Sequence, residues 1–146
     1  ESNVELALFE GLTRLDEHEQ PQPAAAKSWD ISPDGTEYTF HLRDNLLWND
    51  GTPLTAHDFE YAWKRVLDPQ TASENAYMMY PLNNGEAFFK QEVSADQVGV
   101  KALDDKTLYV KLKAPITYFL NLTAFHAYYP VPHHVVEKDP EIWAAK

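Results

Sequence analysis

The sequence contains no cysteine. Disulfide frameworks, thiolate zinc sites, cysteine nucleophiles and iron–sulfur clusters are therefore excluded for these residues. A chain without cysteine is compatible with both reducing and oxidising compartments. The absence of cysteine therefore excludes thiol-based sites and does not indicate the cellular compartment.

Basic residues and long apolar runs are also scarce. Lys and Arg total 12 against 23 Asp and Glu, which gives a formal net charge of -11. An acidic surface repels the phosphates of nucleic acids and of anionic lipids, so we expect neither as a partner. The apolar runs are shorter than the roughly 18 residues that a membrane-spanning helix needs, so we expect no direct membrane span.

Glycine occurs only five times, and Gly35, Gly51 and Gly85 follow residues typical of turns. Neither the G-x-G-x-x-G fingerprint nor a phosphate-binding loop is present, and the G-x-S-x-G nucleophile motif is absent as well. The sequence therefore predicts no cofactor and offers no recognisable catalytic motif.

The 146 residues, 44% of them hydrophobic, suit one globular domain over 1–146. The chain begins ESNVELALFEGL, without an initiating Met or a basic leader, and ends at the helix-like EIWAAK. We therefore expect it to be a piece of a longer protein.

Two longer segments have helical patterns. Apolar residues recur at three- and four-residue steps through 3–15, which predicts an amphipathic helix there, followed by a loop over 16–23. Thr55, with Asp58 three residues later, predicts the start of a second helix that ends at Asp68-Pro69. Shorter helical segments are predicted around 72–80, 86–90, 118–122, 133–138 and 141–146.

Two β-hairpins are predicted from alternating apolar residues on either side of turn signals. The first covers 28–43 and turns at Asp34-Gly35, and the second covers 98–113. Hairpins and short helices together predict an α+β fold in which the hairpins form one antiparallel sheet with helices packed on it.

Two residue clusters are candidates for binding a metal ion or another protein. His133 and Glu137 share a helical face and lie beside His134, but a third ligand is missing. We therefore predict no metal site, with a metal-dependent hydrolase as an alternative. The aromatic and Met residues of 77–80 predict core packing, and an exposed patch there would instead favour a protein–protein interaction module.

A longer pattern runs through most of the chain. It reads AKSWD at 26–30, SPDGTEYTFHLR at 32–43 and WNDGTPLTAHDFEYAWKR at 48–65, and it continues in LDPQTAS at 67–73, VKALDDKTLYVKL at 100–112 and PVP at 130–132. This pattern resembles the peptide/nickel-type (family 5) substrate-binding proteins of ABC importers. The Asp-Pro-x-Thr-Ala-Ser and Pro-Val-Pro stretches are most similar to the oligopeptide-binding branch.

The resemblance implies a two-lobed periplasmic-binding-protein type II fold in a protein several times longer. The chain would be the small subdomain of the N-terminal lobe, and most residues that grip the ligand would lie outside it. The resemblance further implies an oligopeptide ligand, ABC permease membrane subunits as partners, and a non-enzymatic monomer. It also implies a periplasmic or membrane-tethered extracellular location.

The resemblance places side-chain pockets near Asn75 and near Phe125 and His126. Asn75 stands where oligopeptide-binding relatives have an aromatic residue, and core packing is the alternative for Phe125 and His126. Within the same family, the ligand could instead be a dipeptide, a nickel chelate, haem, a murein peptide or a sugar.

Overall fold

The computed structural model describes residues 11–48, 51–69 and 75–131, with only the backbone of His126. The strands are β1 Thr13–Leu15, β2 Pro21–Pro23, β3 Ala26–Ile31, β4 Glu37–Leu42, β5 Val100–Asp104 and β6 Thr107–Lys111. The helices are α1 Ala56–Leu67, α2 Gly85–Phe89 and α3 Phe119–Leu122, with 3₁₀ turns at Ala76–Met79, Ala95–Gln97 and His126–Tyr128.

Both predicted hairpins form, and they join in one antiparallel sheet with the strand order β3-β4-β6-β5. The central pair β4 and β6 places Tyr38 opposite Val110 and Phe40 opposite Leu108, and all four side chains are buried. The polar residues between them face the opposite side of the sheet, because successive side chains alternate between faces. The α+β prediction is therefore confirmed.

The first hairpin turns at Asp34-Gly35, as predicted. Gly35 has a φ of 77°, a left-handed conformation that glycine adopts without steric cost. The Asp34 carboxylate accepts hydrogen bonds from the Ser32 hydroxyl at 2.6 Å and from the Thr36 backbone N–H at 3.1 Å. The bond from Ser32, followed by those from Thr36, lowers the pKa of Asp34 to about 2.

Helix α1 begins and ends where the sequence predicts. Asp58 accepts the backbone N–H of the N-cap residue Thr55 at 3.1 Å, which satisfies a donor that the helix leaves free. Asp68 is the C-cap, next to Pro69. The face of α1 that packs into the core carries Phe59, Ala62, Trp63 and Leu67, all buried.

Helix α1 also covers the edge of the sheet. The Glu60 carboxylate accepts the Ala102 backbone N–H of edge strand β5 at 2.9 Å and the Lys64 ammonium at 2.6 Å. Burial raises the pKa of Glu60, but these two hydrogen bonds and the nearby Lys charges outweigh it, so the pKa lies below its ordinary value. Glu60 is thus held ionised over an edge that could otherwise pair with another strand.

The predicted helix over 3–15 is wrong for the residues that the structure describes. Thr13–Leu15 form strand β1, which pairs with β2 at Pro21–Pro23, so the loop predicted over 16–23 is shorter as well. The reason is tertiary: the Thr13 hydroxyl donates to the Leu120 carbonyl oxygen at 2.8 Å and lies 2.8 Å from the Thr123 hydroxyl. Residues 1–10 lie outside the described part.

The short helices around 86–90 and 118–122 form as α2 and α3. The segment predicted as a helix around 72–80 is described from residue 75 onward and contains a 3₁₀ turn at Ala76–Met79. The helices predicted at 133–138 and 141–146 lie outside the described residues.

Candidate ligand-binding site

Asn75 directly precedes the 3₁₀ turn Ala76–Met79 and is half-buried. Its carbonyl oxygen accepts the backbone N–H of Met78 at 2.9 Å, which closes the turn. Tyr77, in the same turn, has 65% of its surface exposed, whereas Met79 is fully buried. The aromatic and Met cluster predicted as core is therefore divided, with Met79 in the core and Tyr77 at the surface.

Phe125 connects α3 to the 3₁₀ turn His126–Tyr128. Its backbone N–H donates to the Leu122 carbonyl oxygen, and its own carbonyl oxygen accepts the Tyr128 N–H, both at 2.9 Å. Phe125 is 42% exposed, so this side chain is not packed in the core. The structure describes only the backbone of His126, so the predicted contact between its side chain and a ligand stays a prediction.

Tyr128 brings these two segments together. Its phenol hydroxyl donates to the carbonyl oxygen of Met78, across 50 residues of sequence. Its own carbonyl oxygen accepts the indole N–H of Trp63 on α1 at 2.8 Å. The predicted site residues Asn75 and Phe125 therefore lie on two turns that one buried tyrosine joins.

An aromatic cluster lies beneath this connection. The rings of Trp63 and Tyr128 are 5.0 Å apart and nearly perpendicular, at 81°. Phe119 packs edge-on against Tyr128 at 6.0 Å and contacts Tyr38 of the central strand at 5.1 Å. Perpendicular packing of this kind is favourable for aromatic rings, so both turns rest on a rigid base.

Large apolar side chains are exposed on the segments joined at this base. Tyr77 is 65% exposed, Tyr118 58% and Phe125 42%. Tyr118 adjoins α3, and the Leu122 N–H donates to its carbonyl oxygen at 3.2 Å. Exposed aromatic groups backed by a packed core are suited to contact an apolar or amphipathic ligand.

Two clefts elsewhere do not include the predicted site residues. A cleft of about 190 Å³ lies between α1 and strands β5 and β6 and is lined by charged groups that include Glu60, Lys64 and Lys101. A cleft of about 270 Å³ lies beside Pro69 and Phe88. Two of the charged groups in the first cleft, Glu60 and Lys64, pair with each other, so these charges are already partly compensated.

Metal chemistry has no support in the described ranges 11–48, 51–69 and 75–131. They contain no group of three or more His, Asp or Glu residues able to hold a metal ion. His133, His134 and Glu137 lie outside those ranges, so that prediction remains untested. Among the same residues, none of the helices is long and apolar enough to cross a membrane.

Sequence reasoning placed Trp63 in the buried stripe of α1, which the structure confirms, but gave neither Trp63 nor Tyr128 a role in the site. Buried Tyr and Trp side chains usually find a hydrogen-bond partner for their polar atom, so each was a candidate to connect segments. The partners themselves, Met78 and Tyr128, are 50 and 65 residues away, and no local pattern indicates them.

Comparison with known proteins identifies the family. A family profile described as bacterial extracellular solute-binding proteins, family 5 Middle, matches residues 20–146. The chain is 45% identical over 139 residues to the dipeptide-binding protein DppE of Bacillus subtilis (strain 168), covering 95% of this chain and 25% of that protein. It is 43% identical over 145 residues to the probable deoxycholate-binding periplasmic protein YgiS of Escherichia coli (strain K12), covering 98% of this chain and 27% of the relative.

The fold matches a solved structure as well. The substrate-binding domain of an oligopeptide ABC transporter from Bacillus anthracis str. Ames superposes with a TM-score of 0.92 at 44% identity, over 99% of this chain and 28% of that one. The chain thus spans about a quarter of the length of the proteins it matches. On the evidence of the profile match, the identities and the shared fold, this chain belongs to the family-5 bacterial extracellular solute-binding proteins.

Proposed function

We propose that this chain is part of a substrate-binding protein that captures oligopeptides outside the cytoplasm and delivers them to an ABC transporter for uptake. Within that protein, the chain is the small subdomain of the N-terminal lobe and forms part of one wall of the ligand site. The observation that carries the proposal is the 0.92 TM-score match to a substrate-binding domain of an oligopeptide transporter, at 44% identity.

Within the part of the chain that the structure describes, the geometry around Asn75 and Phe125 supports a role as one wall of a ligand site. The two predicted segments present Tyr77 and Phe125 to solvent, and the clefts at α1 and at Pro69 lie elsewhere. Peptide-binding proteins hold an extended ligand mainly through its main chain and accommodate side chains in roomy pockets. A surface that offers exposed aromatic groups on a rigid base can line one such pocket when a second lobe closes over it.

The family is the basis for our proposals about where the protein is located and whether it catalyses a reaction. The family's members are described as extracellular, so we propose a periplasmic protein or one tethered to the outer face of a membrane. We further propose that it is a monomer that performs no reaction and whose partners are the permease membrane subunits. Ligand capture then depends on closure of the two lobes over the ligand. Contacts that are made only in the closed state favour this closure.

Relatives of this chain differ in the ligand for which they are named. Relatives of nearly equal identity are named for a dipeptide in one case and for deoxycholate in another. Purifying the full-length protein without denaturation and identifying any bound ligand by mass spectrometry separates these classes. Recovery of a mixture of short peptides supports the proposal, whereas a bile acid or a metal chelate contradicts the oligopeptide part.

Calorimetric titration with mixed short peptides tests the role as a wall. Because most of the gripping groups are expected elsewhere in the protein, we expect the full-length protein to bind and the isolated 146 residues to bind weakly or not at all. Sub-micromolar affinity of the isolated chain would contradict a wall that depends on a second lobe.

A further inference from the structure

We propose that Tyr128 is a positioning residue that couples the turn after Asn75 to the turn after Phe125, and thereby sets the selectivity of one ligand side-chain pocket. This inference rests on the proposed function, because it assigns Tyr128 a role in the same wall. Tyr128 itself is fully buried and so acts through the two turns rather than by touching a ligand.

The coupling runs through a short series of hydrogen bonds. The Tyr128 hydroxyl donates to the Met78 carbonyl oxygen, and the Met78 N–H donates to the Asn75 carbonyl oxygen at 2.9 Å. On its other side, the Tyr128 N–H donates to the Phe125 carbonyl oxygen at 2.9 Å. The two predicted site residues are therefore connected through Tyr128 by three hydrogen bonds.

The connection is anchored to the longest described helix. Trp63 of α1 donates its indole N–H to the Tyr128 carbonyl oxygen at 2.8 Å, and the two rings pack at 81°. Burial raises the pKa of Tyr128, with a smaller contribution from Tyr118. The hydroxyl thus keeps its proton and acts as a donor to a carbonyl oxygen that can only accept.

The hydroxyl contributes something that the ring does not. Contacts with Trp63 and Phe119 involve the aromatic ring, and phenylalanine at this position would retain them. The hydroxyl is the group that forms the hydrogen bond to the turn containing Met78. Its removal leaves that carbonyl without this donor and breaks this link between the two turns, while buried Met79 keeps the Asn75 turn on the core.

The test uses Tyr128→Phe in the full-length protein, with Tyr109→Phe as the matched control. The Tyr109 hydroxyl donates to Glu37 at 2.9 Å, so Tyr109→Phe removes the same atom from a residue that is not part of the proposed wall. Calorimetry measures affinity for a peptide series in which one position at a time varies from alanine to larger side chains. Hydrogen exchange of the Met78 amide reports directly on the turn.

We expect Tyr128→Phe to change affinity by about threefold to tenfold at one ligand position and to leave the other positions unchanged, as the removal of one hydrogen bond predicts. Exchange of the Met78 amide should become faster, and Tyr109→Phe should alter neither measurement. If Tyr128→Phe does not fold, Trp63→Phe removes the donor that anchors the Tyr128 carbonyl oxygen and should change affinity at one ligand position only.

The outcomes separate this inference from the proposed function. Equal affinities in variant and wild type, or an equal loss at every ligand position, overturn the positioning role while peptide binding stands. Unchanged exchange of the Met78 amide overturns the coupling itself. A wild-type protein that binds no peptide overturns the proposed function and the positioning role with it.

Discussion

The indole N–H of Trp48 donates to the Asp58 carboxylate at 2.8 Å, and both side chains are almost fully buried. The same carboxylate accepts the Thr55 backbone N–H at 3.1 Å. Asp58 therefore caps α1 and also holds the segment before it against the helix. Both residues belong to the WNDGTPLTAHDFEYAWKR pattern at 48–65, so part of that pattern stabilises the fold rather than contacting a ligand.

Replacement of Asp58 by alanine should destabilise the chain by about 2–4 kcal/mol, because it removes a helix cap and leaves the buried Trp48 N–H without this acceptor. Urea unfolding followed by circular dichroism measures the change in the free energy of unfolding. Asp44→Ala, which removes an exposed loop carboxylate, is the control and should have little effect. Equal stability of the two variants would show that the Trp48–Asp58 contact contributes nothing.

Replacement of Glu60 by alanine should expose the edge of strand β5. Its carboxylate accepts the Ala102 N–H at 2.9 Å, so without it that amide should exchange with solvent about tenfold faster. Hydrogen exchange measured by NMR checks this, with the Val110 amide of central strand β6 as an internal reference. Glu60→Gln keeps an acceptor oxygen and should keep most of the protection. Similar exchange rates in the alanine and glutamine variants would argue against an edge covered by Glu60.

Protonation of Asp34 should weaken the first hairpin in acid. The pKa of Asp34 is lowered from 3.8 to about 2 by hydrogen bonds from Ser32 and then Thr36. A lowered folded-state pKa means that the stabilisation is present above the unfolded value and is lost as the pH falls through the folded value. We therefore expect the urea concentration at the unfolding midpoint to decrease as the pH is lowered from 3.8 to about 2.

Asp34→Asn removes this titration while keeping a side-chain oxygen that can accept the turn's hydrogen bonds. Its urea midpoint should therefore fall less steeply over the same pH range than that of the wild type. Asp44→Asn is the control for the loss of one negative charge from an exposed position. Parallel curves for wild type and Asp34→Asn would refute a stabilising role for the ionised carboxylate.

Local sequence signals were sufficient to predict the two hairpins and helix α1. Asp34-Gly35 specifies a turn because Gly accepts the positive φ that the structure shows, at 77°. The ends of the helix are set by Thr55, Asp58 and Pro69, whose groups act within one turn of those ends. The alternation of Tyr38, Phe40 and Leu42 placed the buried face of β4, because side chains on a strand alternate between faces.

The prediction failed at 13–15, where a helical spacing of apolar residues overlies a strand. Thr13 is fixed by the carbonyl oxygen of Leu120 and the hydroxyl of Thr123, which lie more than a hundred residues away. Periodicity measures only which residues share a face over a few turns. It carries no information about a distant partner, so the tertiary contact determined the local structure.

The sequence by itself determined the turns of the two hairpins and the ends of α1, because each of these depends on residues close together in the chain. It also determined the α+β class, through those elements, and the family, through a pattern that runs over most of the chain. It also pointed to Asn75 and Phe125, through the resemblance. Only the tertiary structure decided that the two segments meet, because the Tyr128–Met78 and Trp63–Tyr128 hydrogen bonds span 50 and 65 residues. Those pairings arise from packing around a shared aromatic core, and no pattern along the chain encodes them.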